Sequence, residues 1–159
     1  MRRRWLWTIV ALGMATPGAA TPGAAQALHR RLQVWRDPAC DCCGGWVDHM
    51  RAAGFQVEEH HVASVAAARR QLGIPADLLS CHAAWVGGYA LEGHVPAPAV
   101  LRLLIERPSG IRGLAVPGMP LGSPGMEIPG QPDDRYDVIA FADGHPHRVF
   151  MRFRGKQQV

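Results

Sequence analysis

The chain has 159 residues, with 48% hydrophobic and 19% charged side chains, which fits one folded domain and excludes a wholly disordered chain. Its net charge of +4 comes from 17 basic against 13 acidic residues, and three of the basic ones are Arg2, Arg3 and Arg4. Without those three the body is close to neutral and presents no footprint for nucleic acid.

The first segment reads as an export signal. Arg2–Arg4 is a positive start, Trp5 to Ala15 is apolar but too short to span a bilayer, and a run of small residues ends in Ala25-Gln26-Ala27. Cleavage after Ala27 is predicted, giving a signal peptide over 1–27 and a single mature domain over 28–159 with no membrane segment of its own. The competing reading is a retained membrane anchor.

Leu32-Gln33-Val34-Trp35 is predicted as the first strand, broken by Asp37-Pro38. A helix starts near the last residue of Cys40-Asp41-Cys42-Cys43, with Trp46, Val47 and Met50 on its apolar face, His49 on its polar side and Gly54 as its stop. Phe55 to Glu59 is the second strand. Ser64 caps a helix through Leu72, which Gly73 and Pro75 end. Ala83–Gly87 and Tyr89–Val95 are strands around the Gly87-Gly88 hairpin turn. Pro98 opens a third helix whose buried face is Val100, Leu101, Leu104 and Ile105, closed by Arg107-Pro108.

Residues 109–135 form a long Gly/Pro/Met-rich loop in which Pro-Gly-Met occurs twice. Tyr136–Ala142, the turn Asp143-Gly144 and Arg148–Phe153 read as a closing hairpin. In it His147, Val149, Met151 and Phe153 alternate with Arg148, Arg152 and Arg154, which gives one buried and one charged face, and the last residues fray. The fold class is α/β: a thioredoxin-like βαβαββα core with the added loop and a C-terminal β-hairpin.

The cysteines carry the chemistry. Cys40 and Cys43 form a C-x-x-C pair at a helix N-terminus, where the dipole and free N–H groups favour a thiolate. Three readings stand side by side: two structural disulfides, in a module that binds a protein partner; a thiol–disulfide oxidoreductase using Cys40 and Cys43; and a metal site. Cys42 between the pair disfavours a simple dithiol enzyme, and Cys81 in Ser80-Cys81-His82 supplies a fourth sulfur. Zinc sites draw on separated cysteine pairs, whereas three sulfurs crowd one turn here. Thiolates and thioethers favour Cu(I), and bridging thiolates suit a multinuclear site.

Met119 and Met126 lie in the Pro-Gly-Met loop, off any helical stripe, and extend the soft donor set. His82 and His94 are further candidate ligands, with a hydrogen-bonded structural role as the alternative. Met50, Met151, Trp46 and Trp85 read as core. His60-His61 and His145-Pro146-His147 read as solvated.

Cys-Asp-Cys-Cys-Gly-Gly-Trp, Ser-Cys-His, Glu-Gly-His-Val-Pro-Ala and Leu-Ala-Val-Pro-Gly-Met-Pro-Leu-Gly-Ser-Pro-Gly-Met-Glu resemble the bacterial copper-resistance proteins called CopG, over residues 32–153. The resemblance implies a thioredoxin-like fold in the periplasm, a cysteine-bridged multinuclear copper cluster, and copper tolerance through Cu(I)/Cu(II) interconversion. It implies copper ions as ligand and other periplasmic copper-handling or electron-transfer proteins as partners. Carried over by motif, Cys40, Cys42, Cys43 and Cys81 are the cluster thiolates, with His82, His94, Met119 and Met126 at the other motif positions. Ala83 departs from the pattern, since Thr is expected after Ser-Cys-His.

Overall fold

The computed structural model describes residues 30–159, so the predicted signal peptide over 1–27 lies outside the described residues. The elements in chain order are β1 (Arg31–Arg36), α1 (Asp41–Ala52), β2 (Gln56–His61), α2 (Ala66–Leu72), a 3₁₀ turn (Ala76–Leu78), β3 (Ala83–Val86) and β4 (Tyr89–Glu92). There follow α3 (Ala97–Glu106), β5 (Gly113–Ala115), β6 (Arg135–Phe141), β7 (Arg148–Arg154) and β8 (Gln157–Gln158). All eight strands join one mixed sheet in the order β2-β1-β3-β4-β5-β6-β7-β8. β1 and β2 are parallel, joined through α1, and β4 and β5 are parallel, joined through α3. The remaining neighbours are antiparallel. Among the described residues no helix is long and apolar enough to cross a membrane.

The alternation of strand side chains divides the core between the two faces of the sheet. Leu32, Val34, Ala84, Val86, Leu91 and Leu114 pack with Trp46, Val47 and Met50 of α1 and with Val100 and Leu103 of α3. Full burial contributes about 1.5–3 kcal/mol for each large aliphatic side chain, so this cluster is the main source of cohesion. The alternate positions pack into two smaller clusters that include α2: Ala83 with Val65 and Ala68, and Ala90, Ala115 and Phe141 with Leu78.

Several expectations are corrected. Residues 109–135 are not all loop, because Gly113–Ala115 is β5, the strand that fastens the C-terminal hairpin to the rest of the sheet. Three residues are too few to show an alternation, and Gly and Pro around them read as turn. In α3 Val100 is buried as expected, but Leu103 joins it on the buried face while Leu101 and Leu104 are only half-buried and Ile105 is 81% exposed. Val149 is 49% exposed because the β6–β7 register shifts between Val138 and Ile139, which breaks the two-residue period. The C-terminus does not simply fray, since Gln157 and Gln158 pair with Arg154 and Phe153. His49 is half-buried, and its Nε2 accepts the Ala97 N–H at 3.0 Å, which satisfies the first free donor of α3.

Candidate metal centre

The centre begins where β1 gives way to α1. Asp37 accepts the Ala39 N–H on its side chain at 2.8 Å and the Cys40 N–H on its carbonyl at 3.1 Å, a tight turn that delivers Cys40 as the cap residue of α1. No side chain caps this end, so the sulfurs of the first turn sit beside the positive end of the helix. Cys43 is fully buried, and Cys40 and Cys42 are half-buried.

Cys40 and Cys43 are joined as a disulfide, their Cα atoms 5.3 Å apart, while Cys42 and Cys81 are free thiols. Of the four cysteines expected as cluster thiolates, two are thus paired and two are free in this state: one helical turn brings Cys40 and Cys43 within bonding range. Cys42 Sγ lies 3.5 Å from Cys40 Sγ, and the four sulfurs all lie within 4.8 Å of one another.

Cys81 arrives on the segment that leads into β3, beside the end of β1, and a buried ion pair sets its place. Glu92 at the end of β4 is completely buried and receives Arg69 of α2 through Nε and Nη2, the shortest contact being 2.7 Å. The same carboxylate accepts the Ser80 N–H at 2.6 Å, and Arg69 Nη2 donates to the Ser80 carbonyl at 2.6 Å. Both backbone groups of Ser80 are thus clamped, one residue before Cys81. Burial raises the Glu92 carboxyl above its ordinary value, and Arg69 opposes that rise.

Two imidazoles face the Cys81 sulfur. His94 Nε2 lies 2.9 Å from Sγ and His82 Nδ1 lies 3.3 Å from it. His94 Nδ1 is 2.8 Å from the Pro124 carbonyl, the backbone partner typical of a metal-binding histidine. The His82 ring packs on Trp46 at 4.4 Å, and Trp46 Nε1 donates to the Val95 carbonyl at 2.9 Å. His82 Nε2 is buried with no hydrogen-bond partner among the described residues. Burial pushes His82 well below the usual imidazole range, with neighbouring His94 adding to it, and burial likewise lowers His94. Burial thus favours the neutral form of both rings, which keeps a lone pair on each. Burial, then the neighbouring Cys42, pushes the Cys81 thiol up to about 12. A bound cation reverses that, because it favours the thiolate.

The Pro-Gly-Met repeats border the centre at two points. Gly118 donates to the Leu79 carbonyl at 3.2 Å and its own carbonyl accepts the Ser80 hydroxyl, which places Met119 next to the Cys81 segment, 55% exposed. Gly125 lies against the first turn of α1, and half-buried Met126 follows it. The structure thus brings together Cys40, Cys42, Cys43, Cys81, His82 and His94 and sets the segments carrying Met119 and Met126 at the rim. Sequence reasoning missed Arg69, Glu92 and the Pro124 carbonyl. The available signal was Glu92 itself, a charge at the end of the apolar strand Tyr89–Leu91. Copper(I) fits this donor set: thiols and imidazoles converge, few hard oxygen donors compete, and one imidazole nitrogen is left without a partner.

Residues 78–126 match the family described as "Protein of unknown function, DUF411". No curated protein matches the chain. The solved structure of "Copper resistance protein copG- Form 1" is 38% identical, covers 79% of this chain and 98% of its own, and superposes with a TM-score of 0.72. The "Form 2" structure gives 38% identity, 77% and 97% coverage, and a TM-score of 0.71. With that identity sustained over nearly the full length of the solved chain, this protein belongs to the CopG-type copper-resistance family.

Proposed function

We propose that the protein binds Cu(I) through Cys40, Cys42, Cys43 and Cys81, in a multinuclear thiolate-bridged cluster, and acts in copper resistance. The observation that carries this reading is the convergence of four cysteine sulfurs from two distant segments within 4.8 Å. The reduced dithiol supplies two further soft donors beside Cys42 and Cys81, and sulfurs this crowded favour bridging between ions. His82, His94, Met119 and Met126 are the outer candidates for the same ions. Redox interconversion of Cu(I) and Cu(II) fits a soft, partly buried site that holds Cu(I) more tightly.

We also infer that β1 to α3 is a thioredoxin-like core. The strand order β2-β1-β3-β4 and the helix placement support it. The leader over 1–27 supports export to the periplasm as a single domain over 28–159, where copper-handling or electron-transfer proteins are the partners. The decisive experiment is anaerobic Cu(I) titration of the fully reduced mature protein, with metal analysis and a thiol count. More than one copper per chain, with all four thiols protected from alkylation, is expected. Copper bound with the four thiols still freely alkylated overturns the cluster.

One observation favours a second reading. The Cys40–Cys43 disulfide at the start of a helix is the resting oxidised form of a thiol–disulfide oxidoreductase. Copper-free reduction of a protein disulfide that survives Cys42→Ser would select it.

A further inference from the structure

Away from the metal centre, a titratable side chain stands in for a helix cap. α3 begins with Pro96 at its N-cap position and no side-chain bond from that residue. Pro98 has no N–H to satisfy, and the Ala99 and Val100 N–H groups both return to the Pro96 carbonyl, at 2.9 and 3.2 Å. That leaves the N–H of buried Ala97, and His49 Nε2 of α1 accepts it at 3.0 Å. A backbone N–H can only donate. The bond therefore requires the lone pair on Nε2 and the ring proton on Nδ1.

One turn earlier on α1, Trp46 Nε1 donates to the Val95 carbonyl at 2.9 Å. α1 thus grips the 95–97 segment at two successive points, an indole that does not titrate and an imidazole that does. Protonating His49 puts a hydrogen where the acceptor was and sets a cation against the positive end of α3. Both effects weaken the same contact. Lys156 in the β7–β8 turn and Glu127 in the Pro-Gly-Met loop are the charged side chains that act on the ring. They are paired with each other at 2.8 Å, so their opposed fields partly cancel.

We propose that His49 is a pH-operated latch between α1 and the start of α3: neutral, it holds the Ala97 N–H, and protonated, it releases the first turn of that helix. The direction of the effect follows from burial, which lowers the imidazole below its ordinary 6.5, with Lys156 adding to the shift and Glu127 opposing it. The unfolded chain takes up the proton first. The latch therefore contributes fully above 6.5 and is lost as pH falls through the lower folded value. The release is local, because Trp46 still holds Val95.

The test follows the metal-free, disulfide-bonded mature chain by NMR from about pH 8 down to about 4. Two signals are read together: the His49 ring nitrogens, and the exchange protection of the Ala97 amide corrected for intrinsic rate. His49 is expected to titrate below 6.5 as the Nδ1–H tautomer, and Ala97 protection is expected to fall about fivefold to tenfold at the same midpoint. His49→Gln, whose amide oxygen accepts the N–H at every pH, should keep Ala97 protected throughout and lose the step. His49→Leu should leave Ala97 unprotected even at neutral pH. Flat Ala97 protection across the His49 titration, an Nε2–H tautomer, or the same step in His49→Gln overturns the latch. Where a variant fails to fold, the paired titration of the unmodified chain decides.

Discussion

Gly45 of α1 and Gly125 of the Pro-Gly-Met loop touch backbone to backbone: a Cβ on Gly45 would lie 2.9 Å from the Gly125 Cα. Gly125 has φ +87°, and a Cβ there would strike the Cys42 carbonyl and lie 2.6 Å from the Trp46 nitrogen. The loop therefore rests directly on the first turn of the cysteine helix, and its Pro124 carbonyl reaches His94 from that position.

Gly125→Ala is expected to lift the loop. The left-handed backbone alone costs an L-residue about 1–2 kcal/mol, and the clash adds to it. Chemical denaturation should show a loss of more than about 1 kcal/mol. Copper affinity should fall as well, because the His94 orientation and the Met126 segment both depend on this contact. Unchanged stability would show that the loop does not seat on α1.

Cys42→Ser separates the two chemistries proposed for the sulfur centre. A bridged cluster loses copper beyond a one-in-four share, since ligands that act as a unit are not additive. A dithiol enzyme using Cys40 and Cys43 hardly responds. Metal analysis of the reduced variant checks this, and full copper loading counts against the cluster. Met119→Ala and Met126→Ala are expected to weaken affinity more mildly.

Arg69→Ala leaves the Glu92 carboxylate buried without its partner. Breaking such a pair typically costs about 3–5 kcal/mol. Because both Ser80 backbone groups depend on the clamp, Cys81 should also become more reactive toward a thiol reagent, even under conditions where the variant remains folded. An alkylation rate equal to that of the unmodified chain would mean the clamp does not position Cys81.

Glu59 on β2 meets Arg36 and Arg51, each at 2.7 Å. Burial pushes its carboxyl up, but the two guanidiniums outweigh that and hold it at about 2, against an ordinary 4.5. The folded value lies below the unfolded one. The pair's contribution is therefore fully present above the unfolded value of 4.5, and it fades as pH falls toward about 2. Glu59→Gln should cost about 1–2 kcal/mol at neutral pH, after allowing for solvent screening. The gap to the unmodified protein should close in acid. A gap independent of pH, measured by denaturation across that range, would remove this account.

The sequence by itself determined the local pieces. Helix faces at 3.6-residue spacing placed Trp46, Val47 and Met50 correctly, and the Asp37-Pro38 break put the cysteine turn between β1 and α1. The metal-site candidates were readable too, because Cys and His in unusual density announce themselves by type. Tertiary structure alone decided what these pieces meet. Cys81 reaches the α1 sulfurs only because β3 lies beside β1, a non-local pairing with no short-range signature, whereas the Gly87-Gly88 turn that brings His94 back beside Cys81 was legible in the sequence. The Cys40–Cys43 bond leaving Cys42 free, the Arg69–Glu92 clamp and the Gly45–Gly125 contact depend likewise on distances across the fold. The strand β5 joined the sheet by backbone pairing to β4 and β6, and backbone pairing carries no side-chain pattern in three residues. A sequence lists its donors by type, but which ones share a metal is fixed by packing that joins segments dozens of residues apart.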